Sequence, residues 1–102
     1  MYRARDRVDE ADRLSDLAAV ADDLDLGEEA RSVAADLYLT AVPEAERSKP
    51  ASIAASLYAG ALVAGEERPQ TAVAEAAGVS RLSVQDRWKA LLEDAGFEPP
   101  RW

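Results

Sequence analysis

From Arg7 onward, apolar residues recur at three- and four-residue steps: Val8, Ala11, Leu14, Leu17, Ala18, Ala21 and Leu24. That spacing predicts an amphipathic helix over 7–24, with Asp and Arg on its other face. Gly27 is the expected break, and Glu28 and Glu29 suit the start of a second helix, where carboxylates oppose the helix dipole. Ala30, Val33, Ala34, Leu37, Tyr38 and Ala41 give that helix its apolar face over 28–42, and Pro43 stops it. No run alternates apolar and polar residues over the length of a strand, so no sheet is expected.

The stretch Pro50–Gly65, PASIAASLYAGALVAG, carries no charge in a chain that is 31% charged. Pro50 fits the first turn of a helix, where a missing N–H costs nothing. Ile53, Leu57 and Ala61 follow one face, and Ala55, Ser56, Ala59 and Gly60 on the other are small rather than polar. A helix with no solvent face is buried all round, and its small residues let neighbouring helices come close. At 16 residues it is short for a membrane span. It is expected as the central helix, over 50–64, of a five-helix, all-α domain covering residues 1–102.

After a polar loop at Glu66–Pro69 comes QTAVAEAAGVSRLSVQDRWKALL, residues 70–92. It divides into a short helix over 70–77, a turn at Gly78 that needs positive φ, and a longer helix that Ser80 can cap. Val73, Ala74 and Ala77 are expected inward from the first, Val84, Trp88 and Leu91 from the second, with Val79 plugging the corner. This is the grammar of a helix-turn-helix, whose second helix offers its outer N-terminal residues to the major groove. Those residues are Ser80, Arg81, Leu82, Gln85, Asp86 and Lys89, with Arg87 as a further cation. Arg and Lys suit phosphates or guanine, Gln suits adenine, Leu a thymine methyl, and Asp86 fits less well. Two helices meeting at a glycine turn also occur purely as packing, and these residues alone leave both readings open.

Composition narrows the chemistry. The 102 residues contain neither cysteine nor histidine, which removes disulfides, thiolate metal sites and the usual general base. No constellation of carboxylates and lysines suggests catalysis, so an enzyme is not expected, nor a cofactor. Asp22, Asp23 and Asp25 resemble the start of a calcium loop, but counting from Asp23 the twelfth position is Ala34 rather than glutamate. They read as a solvated helix end. The net charge of −8 argues against nucleic acid at first sight. Its distribution changes that view: residues 1–47 hold 6 basic and 13 acidic groups, residues 48–102 hold 6 and 7. Within 78–92, Arg81, Arg87 and Lys89 stand against Asp86 alone. Neither end carries a signal-peptide pattern, which predicts a cytoplasmic protein. Few lysines among many Asp, Glu, Ala and Val is the composition of a halophile.

Residues 48–95 resemble the second cyclin-like repeat of the archaeal and eukaryotic transcription initiation factor B (TFIIB-like) family. The resemblance rests on the Pro-started, Ala-rich helix with Leu57-Tyr58, on Arg68-Pro69-Gln70, on Val73-Ala74-Glu75-Ala76-Ala77, and above all on Val79-Ser80-Arg81-Leu82-Ser83-Val84-Gln85-Asp86-Arg87-Trp88-Lys89. It implies a cyclin-like fold that grips promoter DNA beside the TATA-binding protein. It also implies a last helix that reads an element upstream of the TATA box. The apolar residue and the arginine that do so in the family correspond to Leu82 and Gln85; Gln85 gives up a charge and the arginine's bidentate guanine contact. The zinc ribbon, reader loop and other repeat of the family have no counterpart here, which implies a single repeat acting as a regulator.

Two functions follow as expectations. One is a DNA-binding transcription regulator that uses Ser80, Arg81, Leu82, Gln85, Arg87 and Lys89 on double-stranded promoter DNA. The other is a module that binds the TATA-binding protein or another basal factor without base contact. Because a lone repeat leaves apolar surface uncovered, a homodimer or hetero-complex is expected. The Pro-rich tail, residues 97–102, ends in Trp102, which either folds back on the domain or anchors a partner. Phe97 is expected beneath Trp88.

Overall fold

The computed structural model describes residues 14–40 and 49–96. Among them the only regular structure is helical: α1 (its described part 14–23), α2 (Glu28–Thr40), α3 (Lys49–Val63), α4 (Gln70–Ala77) and α5 (Arg81–Asp94). No helix among the described residues is long and apolar enough to cross a membrane. The expectations for Val8, Ala11, Ala41, Pro43, Phe97 and Trp102 lie outside the described residues.

The uncharged helix sits at the centre. α3 packs against α2, α4 and α5, and every residue from Ala51 to Ala61 is buried. Gly60 shows why the small face is small. A Cβ built there would lie 2.8 Å from the backbone nitrogen of Ala34 and 2.9 Å from the carbonyl oxygen of Ala30. The α2 and α3 backbones therefore touch through the missing side chain. Leu17, Ala21 and Leu24 of the first segment join the same core, as do Ala30, Ala34, Leu37 and Tyr38 of α2. Ala18, expected inward, is exposed; alanine is favoured in helices for its propensity as well as its apolarity, so it marks a face poorly.

The first helix ends at residue 23, one short of the expected 24, and Asp25 rather than Gly27 makes the turn. Asp25 takes the left-handed conformation, at φ 54°, and the Leu26 N–H donates to the Ala21 carbonyl at 3.1 Å. Together with the Asp25 N–H to the Asp22 carbonyl, also 3.1 Å, this closes the helix as glycine usually does. Aspartate is among the few residues that tolerate this conformation. Arg68, 43 residues away, supports the turn: its guanidinium donates to the carbonyls of Leu24 at 3.0 Å and Asp25 at 3.1 Å. It also donates to the Glu66 carbonyl at 2.8 Å, while the Glu66 carboxylate accepts the Gly27 N–H at 2.9 Å. A cation at a helix C-terminus meets the negative end of its dipole. Arg68 and Glu66 so fix the loop that leads into α4 onto the α1–α2 turn.

Asp22, Asp23 and Asp25 do not converge with a fourth ligand. Asp22 pairs with Arg31 at 2.6 Å, and among the described residues no three acidic groups come together as a metal site.

Candidate nucleic-acid interface

Local chemistry builds the corner between α4 and α5. Gly78 is left-handed at φ 74°, the Val79 N–H donates to the Ala74 carbonyl at 2.9 Å, and the Gly78 N–H to that of Glu75 at 3.2 Å. These bonds satisfy carbonyls that the last turn of α4 leaves open. Val79 then packs against the core, and Ser80 turns extended at φ −80°, ψ 153°. Its Oγ accepts the Ser83 N–H at 3.3 Å and lies 3.1 Å from the Ser83 hydroxyl. The chain thus enters α5 through a capped N-terminus in a fixed direction.

The inward face of α5 is held firmly. Val84, Trp88 and Leu91 are buried, and Leu92, which the spacing does not single out, is buried with them. Trp88 is 3% exposed, and its ring meets Tyr58 of α3 edge-on, with centroids 5.3 Å apart at 70°. The Trp88 indole N–H is buried without a hydrogen-bond partner, so the ring is held by shape and by its aromatic neighbour. Tethered in this way, α5 cannot rotate to hide its other side.

That other side is uncovered. Ser80, Arg81, Leu82, Gln85, Asp86 and Lys89 are all exposed, Leu82 to 60%. Arg81, Gln85 and Lys89 follow one another at four-residue steps and share one strip, with Leu82 and Asp86 beside it. Arg87 does not belong to it. It is half-buried and lies about 200° around the helix from both Gln85 and Lys89. Among the described residues Arg81, Arg87 and Lys89 form no ion pair, leaving their charge available; Lys89 Nζ stands 5.6 Å from the Trp88 ring centroid.

The strip contains a residue that periodicity does not find. Gln70, the first residue of α4, donates through Nε2 to Gln85 Oε1 at 2.6 Å and accepts from Arg81 Nη1 at 3.4 Å. Its sequence signal was its place in the Arg68-Pro69-Gln70 run, which gives it no role. Among the described residues the exposed large apolar side chains are Val63 and Leu82.

A helix-turn-helix corner with one uncovered polar strip, carried on a central helix buried from Ala51 to Ala61, can be compared with known proteins. The family model for the transcription factor TFIIB repeat matches residues 8–94, which include all five helices. Transcription initiation factor IIB of Pyrococcus abyssi is 36% identical over 83 residues, covering 78% of this chain and 28% of that protein. Transcription initiation factor IIB 1 of Thermococcus kodakarensis is 35% identical over the same lengths of both. Transcription initiation factor IIB of Archaeoglobus fulgidus is 44% identical over 45 residues, covering 44% of this chain and 14% of that protein. The chain therefore spans less than a third of the length of these relatives. With its helices and most of its length accounted for by the repeat, the chain belongs to the TFIIB repeat family.

Proposed function

We propose that this chain is a DNA-binding transcription regulator of the initiation factor B type, which places α5 against double-stranded promoter DNA. The observation that carries the reading is the uncovered strip Arg81–Gln85–Lys89 on a helix whose opposite side is locked into the core. Arg81 and Lys89 supply phosphate contacts, and Gln85 and Leu82 face base edges. Ser80 acts chiefly as the cap that sets the direction of α5, and Arg87 reaches phosphate only at the margin of the contact. Few cations and a net charge of −8 make the isolated domain a weak binder, more so in salt. A second DNA-bound protein, such as the TATA-binding protein, or a second copy of the chain supplies the remaining affinity.

One observation favours a second reading, a module that touches basal transcription factors alone. Asp86 is exposed beside the strip and would face phosphate. The two readings separate in direct binding to random-sequence duplexes at low ionic strength, with purified TATA-binding protein as the parallel target. Saturable binding to the duplex in the absence of any other protein supports the first. Binding to the protein alone replaces it with the second.

A further inference from the structure

We infer that Gln70 is a positioning residue for base selection and turns Gln85 from an adenine reader into a donor that favours guanine. The inference rests on the DNA-binding reading above. A free glutamine reads adenine by accepting from the N6 amino group and donating to N7 at once. Gln85 is not free: its Oε1 accepts from Gln70 Nε2 at 2.6 Å. The direction of this bond is not arbitrary. Arg81 has only donors, so the group of Gln70 facing it at 3.4 Å must be the oxygen. Gln70 then offers its amino group to Gln85, and Gln85 must answer with its oxygen. Gln85 Oε1 keeps a second lone pair, but the bond turns that oxygen toward α4 and leaves the amino group, with two N–H donors, facing outward. Guanine presents two acceptors in the major groove, N7 and O6, and no donor. Adenine's amino group meets a donor instead and is disfavoured. Selectivity is therefore set by a residue at the start of α4 that need not touch a base.

A neutral, exposed hydrogen bond biases the orientation by roughly two- to tenfold, which bounds the effect on base choice. The test is selection from a randomised duplex library at low ionic strength with the full chain and two variants, followed by titration of the selected and single-base-changed duplexes. Gln70 is partly exposed at a helix start, so both variants keep the fold, which circular dichroism verifies. Wild type is expected to favour guanine over adenine at one position by about two- to tenfold. Gln70→Ala releases Gln85 and abolishes or inverts that preference. Gln70→Glu offers only acceptors, so Gln85 turns its amino group inward and its oxygen outward, selecting the amino groups of adenine or cytosine. The added charge weakens binding to all sequences alike. Intact binding with one unchanged base preference in all three proteins overturns the inference and leaves the DNA-binding reading standing. So does wild-type binding with no preference at all. Absence of salt-dependent binding in every protein overturns both.

Discussion

Gly60→Ala adds one methyl group at the tightest crossing in the molecule. Helix propensity alone favours the change, by about 0.8–1.0 kcal/mol. The surroundings oppose it. The new Cβ would lie 2.8 Å from the Ala34 nitrogen and 2.9 Å from both the Ala34 Cα and the Ala30 oxygen, whereas ordinary contact begins at 3.4 Å. All three neighbours are backbone of α2, so no side chain can swing aside. α2 and α3 must part by about half an ångström, and a gap of that size forfeits roughly a quarter of each dispersion contact across it. Inserting a methylene into a packed core costs ~1–3 kcal/mol, and a rigid obstacle belongs at the upper end. The net expectation is a loss of ~1–2 kcal/mol, or roughly 5–15 °C in Tm for a domain of this size. Urea denaturation of wild type and variant, followed by circular dichroism, reads the difference as a shift of midpoint at constant slope. Stabilisation by about 1 kcal/mol, the bare propensity value, would refute direct backbone contact between these helices.

Four further substitutions, at three positions, probe the frame that carries the strip. Leu57→Ala empties a fully buried position of α3 and is expected to lower stability by ~2–5 kcal/mol in the same denaturation assay. A loss below about half a kcal/mol would be surface behaviour. Ser80→Ala removes the α5 cap at a cost of ~1 kcal/mol. Ser80→Asp keeps the cap, so its stability stays near wild type while the added charge weakens DNA binding measured by fluorescence anisotropy. Arg68→Ala strips the guanidinium from the Leu24 and Asp25 carbonyls and is expected to cost ~1.5–3 kcal/mol. Hydrogen exchange should show the α1–α2 turn opening first, whereas unchanged protection there would contradict the clamp.

What the sequence reveals and what it hides divide along physical lines. The burial of α3 from Ala51 to Ala61 is plain from the absence of charge there, because no surface helix does without polar residues. The α4–α5 corner is equally plain, since Gly78, Val79 and Ser80 each satisfy a local demand: a positive φ, a plug and a cap. The inward side of α5 follows from Val84, Trp88 and Leu91 at helical spacing. Leu92 escapes because it lies at the margin of that face, where the packed core rather than the spacing decides burial. Arg68 and Asp25 escape for a different reason. The carbonyls that the arginine caps are 43 and 44 residues away, and no local pattern announces that meeting. Gln70 and Gln85 meet only because of the angle at which α4 and α5 cross, a property of the packed core. The exposure of Gln85 on the outer side of α5 is legible in the sequence, but its hydrogen bond to Gln70 is not.

The central claim is that the strip Arg81–Gln85–Lys89 faces DNA. Its most direct test is a salt titration of duplex binding for wild type, Arg81→Ala and Gln85→Ala. Wild type should bind with an affinity that falls linearly on a log–log plot against salt. Arg81→Ala should weaken binding to every sequence and reduce the magnitude of that slope by about 0.9, the value for one phosphate contact. Gln85→Ala should leave the slope unchanged and relax discrimination at one base pair by about two- to tenfold. A wild-type protein that shows no salt-dependent binding even at low ionic strength would contradict the account and leave protein partners as the target of α5.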